Sequence, residues 1–219
     1  MSVPSVEEYV NLADLARRLT AYRYRVFTAA TQLSVGLCVA VLYMLWQVAG
    51  YAVLRERWIA PLIPVIFFLS FFVPLYFIAS FIWRTYWRSV RALGVTVRRG
   101  ERGRERLIPF IYALPIILVY AIPPPLPHWY SYAWFYGLTV SHMLETLLFE
   151  IPLARTSPEY STISHRVTTI LSVAASPIPA VISLGAEAPF LPAHAAVAIA
   201  LAAYLVAAIL ELRRAERLA

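Results

Sequence analysis

The chain has no lysine: all 19 of its basic residues are arginines. That removes a Schiff-base lysine and a lysine general base from consideration. Its one cysteine, Cys38, lies inside an apolar run, so no intrachain disulfide forms and Cys38 reads as a packing residue. Charge is scarce too: 14% of residues are charged, where a soluble domain carries about a quarter. HExxH, GxSxG and CxxC patterns are absent, as is a phosphate-binding glycine loop. No catalytic motif therefore names a reaction. Residues 1–27 lack the apolar core of a cleavable secretory signal.

What is present is apolar. The 219 residues are 61% hydrophobic with a mean hydropathy of +0.68, which indicates an integral membrane protein. Segmentation predicts an all-α polytopic bundle of six transmembrane helices, at 28–54, 58–83, 107–122, 129–152, 167–184 and 189–212. An amphipathic helix in 1–27 precedes them. Ser5 with Glu8 forms a capping box there, and Leu12, Leu15, Leu19, Tyr22 and Val26 form one apolar stripe. Such a helix either lies in the headgroup plane and runs into the first span, or packs on the bundle.

Proline punctuates the spans. Pro61, Pro64 and Pro74 kink the second, and Pro177 and Pro179 break the fifth. The third is short, and Pro123, Pro124, Pro125 and Pro127 end it. Trp129, Tyr130, Tyr132, Trp134 and Tyr136 open the fourth as an aromatic belt.

Arginine sets the expected orientation. In residues 84–106, eight arginines against Glu101 and Glu105 give +6 of the formal +7. With the N-terminus, the loop at 153–166 and the tail at 213–219, this bias places both termini on the cytoplasmic side of the cell membrane. Arg98, Arg99, Arg102, Arg104 and Arg106 are expected to meet anionic lipid headgroups or a cytoplasmic partner; no nucleic acid is expected.

The candidate site lies in the fourth span, which alone carries ionisable residues at depth: His142, Glu145 and Glu150. Such groups are costly in hydrocarbon and mark functional sites by default. On a helix Ser131, His142 and Glu145 fall within about 60° of one another, with Thr139, Thr146 and Glu150 about 40–80° to the other side of His142. A histidine beside a carboxylate suits a proton relay or a cation site. The structural alternative is a hydrogen-bonded pair pinning the helix, with Glu150 meeting Arg155. No metal set is expected, because His165 and Glu159 read as belonging to one side and His128, Glu187 and His194 to the other. No cofactor is expected either.

The stretch Glu145–Glu150, ETLLFE, with Phe190-Leu-Pro-Ala-His194, resembles the paired-glutamate and FxxxH motifs of CAAX-type intramembrane proteases. Thr146 stands in place of the second glutamate, Glu150 in place of the arginine, and no later histidine follows. The layout of an amphipathic helix before six spans resembles type-2 ABC permease subunits, which implies transport of a small solute or ion beside a cytoplasmic ATPase. Three readings stand: a transporter or permease subunit, a non-catalytic membrane subunit docking a partner through its arginine loop, and an intramembrane enzyme. An oligomer is compatible with each.

Overall fold

A computed structural model of the chain describes residues 6–55, 107–156, 158–188 and 190–218. The expected second span at 58–83, the basic loop with Arg98, Arg99, Arg102, Arg104 and Arg106, and Ser5 of the capping box lie outside the described residues. Within them all regular structure is helical. Helices α1 (Val6–Arg55), α2 (Ile108–Ala121) and α3 (Trp129–Glu145) lead into a π-helical turn, Thr146–Glu150, and α4 (Ile151–Thr156). A 3-10 turn at Pro158–Tyr160 precedes α5 (Ser164–Ala175), α6 (Pro177–Gly185) and α7 (Phe190–Glu216).

Three stretches are long and apolar enough to cross a membrane: Val10–Val48, Ser164–Gly185 and Phe190–Glu216. They are compatible with a membrane protein, and they are fewer than the six expected spans. Besides the segment outside the described residues, two expected spans fall short for physical reasons. Helix α2 has 14 residues, about 21 Å at helical rise, and contains Pro115. The fourth is interrupted after Glu145 by the π turn.

The N-terminal amphipathic helix and the first span form one continuous element. Helix α1 runs 50 residues, about 75 Å, far beyond a hydrocarbon thickness of about 30 Å. Leu12, Leu15 and Leu19 of its stripe are exposed, so among the described residues nothing packs over this face.

Helices α1 and α7 pair antiparallel. Arg25 donates from Nη1 to the carbonyl of Arg214 at 2.9 Å, and the Tyr43 hydroxyl meets His194 Nδ1 at 2.9 Å. Ala196, Ala200, Ala203, Ala207 and Ala208 are all buried, and small residues of this kind let helix backbones approach. Between the two linked ends, Gly36 faces Tyr204 so closely that a Cβ would sit 3.1 Å from the tyrosine Cβ. Across α2 and α3 the contact is tighter: a Cβ on Gly137 would lie 2.7 Å from Ile116 Cα.

The packed centre joins Val39, Trp129, Tyr132, Phe135, Leu138, Ala196, Ala200 and Tyr204. The aromatic run is thus only partly a belt. Tyr130 points outward, whereas Trp129 and Tyr132 are buried and Tyr132 donates to Ser183 Oγ at 3.1 Å. Phe110, Ile117, Ile170, Val181 and Leu184 are exposed, so many large apolar side chains face out, while several hydroxyls and carboxylates lie inside beside the apolar centre. So apolar an exterior, with polar groups drawn inside, suits a lipid surround.

Pro177 separates α5 from α6. It cannot donate to the Val173 carbonyl four residues back. The Ser176 backbone N–H and hydroxyl both donate there instead, at 3.2 and 2.8 Å. Tyr136 donates to the Ser176 carbonyl at 2.9 Å and ties the break to α3.

Candidate functional site

His142 and Glu145 are one helical turn apart on α3, and both point into the bundle. Three other helices complete their surroundings. Tyr112 comes from α2, His165 from the first turn of α5, and Tyr204 from the alanine-rich middle of α7. The Tyr112 hydroxyl lies 3.1 Å from His142 Nδ1 and donates to Glu145 Oε2. His165 Nδ1 is 3.3 Å from His142 Nδ1 and 3.2 Å from Glu145 Oε2. The other face of His142 is engaged too, its Nε2 lying 2.7 Å from the Tyr204 hydroxyl. The two imidazoles are stacked, with centroids 5.6 Å apart.

The placement of His165 corrects the sequence expectation that separated it from His142 and Glu145. Helix α5 begins at Ser164, so His165 is in its first turn instead of in a polar loop. Glu150 is what holds that start. Its Oε1 accepts from the Thr162 hydroxyl at 3.0 Å and the His165 backbone N–H at 3.3 Å. Its Oε2 accepts from the Arg166 backbone N–H at 2.8 Å and from Arg166 Nε at 3.2 Å. A carboxylate serving free N–H groups at a helix N-terminus is favoured both by those bonds and by the helix dipole. Arg166 thus occupies the place that the sequence reading gave to Arg155.

The π turn explains how Glu150 arrives there. In unbroken α-helix Glu150 would project about 140° from Glu145, at 100° per residue. Hydrogen bonding in the i→i+5 register, seen from the Ile151 N–H to the Thr146 carbonyl, draws residues five apart toward a common side. Turns of this kind recur at functional sites.

A third buried carboxylate lies beyond. Glu211 on α7 is fully buried, accepts from the Ile163 backbone N–H, and has Arg214 Nη1 at 3.9 Å. Glu211 meets the Ile163 backbone, Thr162 and the His165 backbone meet Glu150, and the His165 ring meets Glu145 and His142, so the three carboxylates are linked through the segment 162–165. Among the described residues, His142, Glu145 and His165 form a set that could hold a metal ion, which the sequence reading did not expect. The expected members His142, Glu145 and Glu150 do share one region, Glu150 contacting the backbone of His165 without reaching the histidine–carboxylate centre.

Sequence reasoning missed Tyr112, Tyr204, His165 and Glu211. A lone tyrosine among alanines, ALAAYLVAA, was a signal for Tyr204. Glu211 lies near the end of the apolar run at 189–212, and apolar periodicity does not tell a buried last turn from a solvated one. Comparison with protein-family models, with characterised proteins and with solved structures finds no match to this chain.

Proposed function

We propose that this chain is a multi-span membrane protein of transporter or permease type, with a proton or small cation handled at His142 and Glu145. One observation carries the reading: the polar cluster inside the bundle made by the five side chains Tyr112, His142, Glu145, His165 and Tyr204. A relay requires a donor and an acceptor beyond the central pair, and both tyrosines and His165 supply them. Pinning one helix to another needs a single hydrogen-bonded pair, whereas this arrangement gathers side chains from four helices. Tyr204 and Glu211 are seven residues apart on α7, about 10.5 Å. Glu211 thus stands between the cluster and the C-terminal end of α7, the side that the arginine bias assigns to the cytoplasm. In this reading Glu150 positions His165 and is not itself a carrier.

The test is flux in vesicles. Purified protein reconstituted into liposomes is expected to dissipate an imposed pH or cation gradient. Glu145→Gln keeps size and hydrogen bonding while removing the charge. It is expected to abolish the flux and leave thermal unfolding in detergent unchanged. Equal flux from wild type and E145Q, or none from wild type with protons, alkali or divalent cations, rejects the proposal.

A further inference from the structure

We infer that His142, Glu145 and His165, with the Tyr112 hydroxyl, form a tetrahedral site for a divalent transition metal of the zinc class. The inference rests on reading this cluster as the ion site and names the ion it takes.

The argument begins with hydrogen counting. The Tyr112 oxygen, His142 Nδ1, His165 Nδ1 and Glu145 Oε2 form a closed ring of four contacts, three of them 3.1, 3.3 and 3.2 Å long. Each imidazole nitrogen offers one site, a proton or a lone pair, and an ionised carboxylate offers no proton. With Glu145 ionised, at most three protons serve four contacts, so at least one pair of electronegative atoms faces without a hydrogen between. A buried arrangement of that kind is unfavourable as a hydrogen-bond network. A cation at its centre satisfies all four atoms together.

The distances select the geometry. Zinc binds histidine nitrogen and carboxylate oxygen at about 2.0–2.1 Å, so two ligand atoms of a tetrahedron stand about 3.3 Å apart. The Tyr112–His142, His142–His165 and His165–Glu145 separations are 3.1, 3.3 and 3.2 Å, close to that edge, whereas the shorter Tyr112–Glu145 contact has to open to admit an ion. Imidazole and carboxylate donors without a thiolate suit zinc and its first-row neighbours more than copper(I) or an iron–sulfur cluster. Calcium and magnesium prefer six or more oxygens.

The surroundings match those of a metal-bound histidine. Such a ligand engages its second nitrogen with an outer group that fixes tautomer and ring angle. His142 Nε2 does so with Tyr204, which leaves the Nδ1 lone pair turned to the site. Glu150 does not meet the His165 ring but accepts from the backbone N–H groups of His165 and Arg166, which holds the turn that carries the imidazole.

The experiment uses the full chain purified in detergent, equilibrated with zinc, passed over a desalting column and assayed for bound metal. One zinc per chain is expected. His142→Ala and His165→Gln should each lose it, while His128→Gln and His194→Gln, which alter the remaining histidines, should keep it. Substituting cobalt(II) should give the intense visible bands of four-coordinate cobalt without a thiolate charge-transfer band. Tyr204→Phe, which removes only an outer hydroxyl, is expected to weaken zinc binding about 10–100-fold with the protein still folded. Absence of stoichiometric zinc in wild type overturns the site, as does zinc retained by both H142A and H165Q. Proton flux in vesicles without zinc binding also overturns it and leaves the transport reading standing. Zinc bound at these residues with no flux of any ion supports the site and removes the transport reading.

Discussion

At the scale of single residues, Glu150 shows how one side chain organises several others. Four donors converge on its two oxygens, two of them backbone N–H groups of a helix start. Truncation would orphan those N–H groups and leave Arg166 without its carboxylate. Hydrogen bonds to charged groups are worth about 1.5–3 kcal/mol, although Arg166 is partly exposed and water recovers some of that loss. Glu150→Ala should therefore lower unfolding stability by about 2–4 kcal/mol, and Glu150→Gln by about half as much. Chemical denaturation in a mild detergent measures both. An E150A protein as stable as wild type would show that the carboxylate does not hold α5 in place.

Elements depend on small features at their contacts. Gly137 allows α2 to approach α3 so closely that the Ile116 backbone occupies the space of a side chain. Tyr112 lies one turn from Ile116, so this contact sets how far its hydroxyl reaches toward Glu145. Gly137→Ala must push the helices apart, an overpacking cost of about 1–3 kcal/mol. We expect a lower melting temperature together with weakened zinc binding. A variant with unchanged melting and unchanged binding would mean that α2 can shift without disturbing the site. The breaks in the helices are equally local. Pro177 leaves the Val173 carbonyl without its usual donor, and Ser176 replaces that donor twice over.

At the scale of the whole molecule, the described residues join a lipid-compatible exterior to an interior that is apolar at its centre and also carries buried polar groups. One structural relation shows which helix ends lie together. Arg25 meets the carbonyl of Arg214, while Tyr43 meets His194, so residue 25 of α1 and the C-terminal end of α7 share one end of the bundle. The turn between α2 and α3 lies at the other end, where His128 Nε2 is 3.0 Å from the carbonyl of Ala186. The arginine bias assigns the first of these ends to the cytoplasm. With Cys38 replaced, Gly103→Cys and Pro125→Cys should react with membrane-impermeant reagents from opposite sides of intact vesicles. Labelling of both from one side would break the proposed topology.

Composition and hydropathy alone determined that the chain holds helices apolar enough for a membrane, because a long apolar run is legible without knowing its neighbours. It also marked His142 and Glu145, since an ionisable pair in an apolar run is visible without coordinates. Continuity of helices was less legible. The join of the amphipathic segment to the first span, and the π turn after Glu145, depend on hydrogen-bond register and on packing partners that periodicity does not encode. Only the tertiary structure decided what surrounds the pair. Tyr112 is 30 residues before His142, His165 is 23 after it and Tyr204 is 62 after it. No local rule relates such separations. They close because Gly137 admits α2, Glu150 fixes the start of α5, and the alanine face of α7 lets Tyr204 approach.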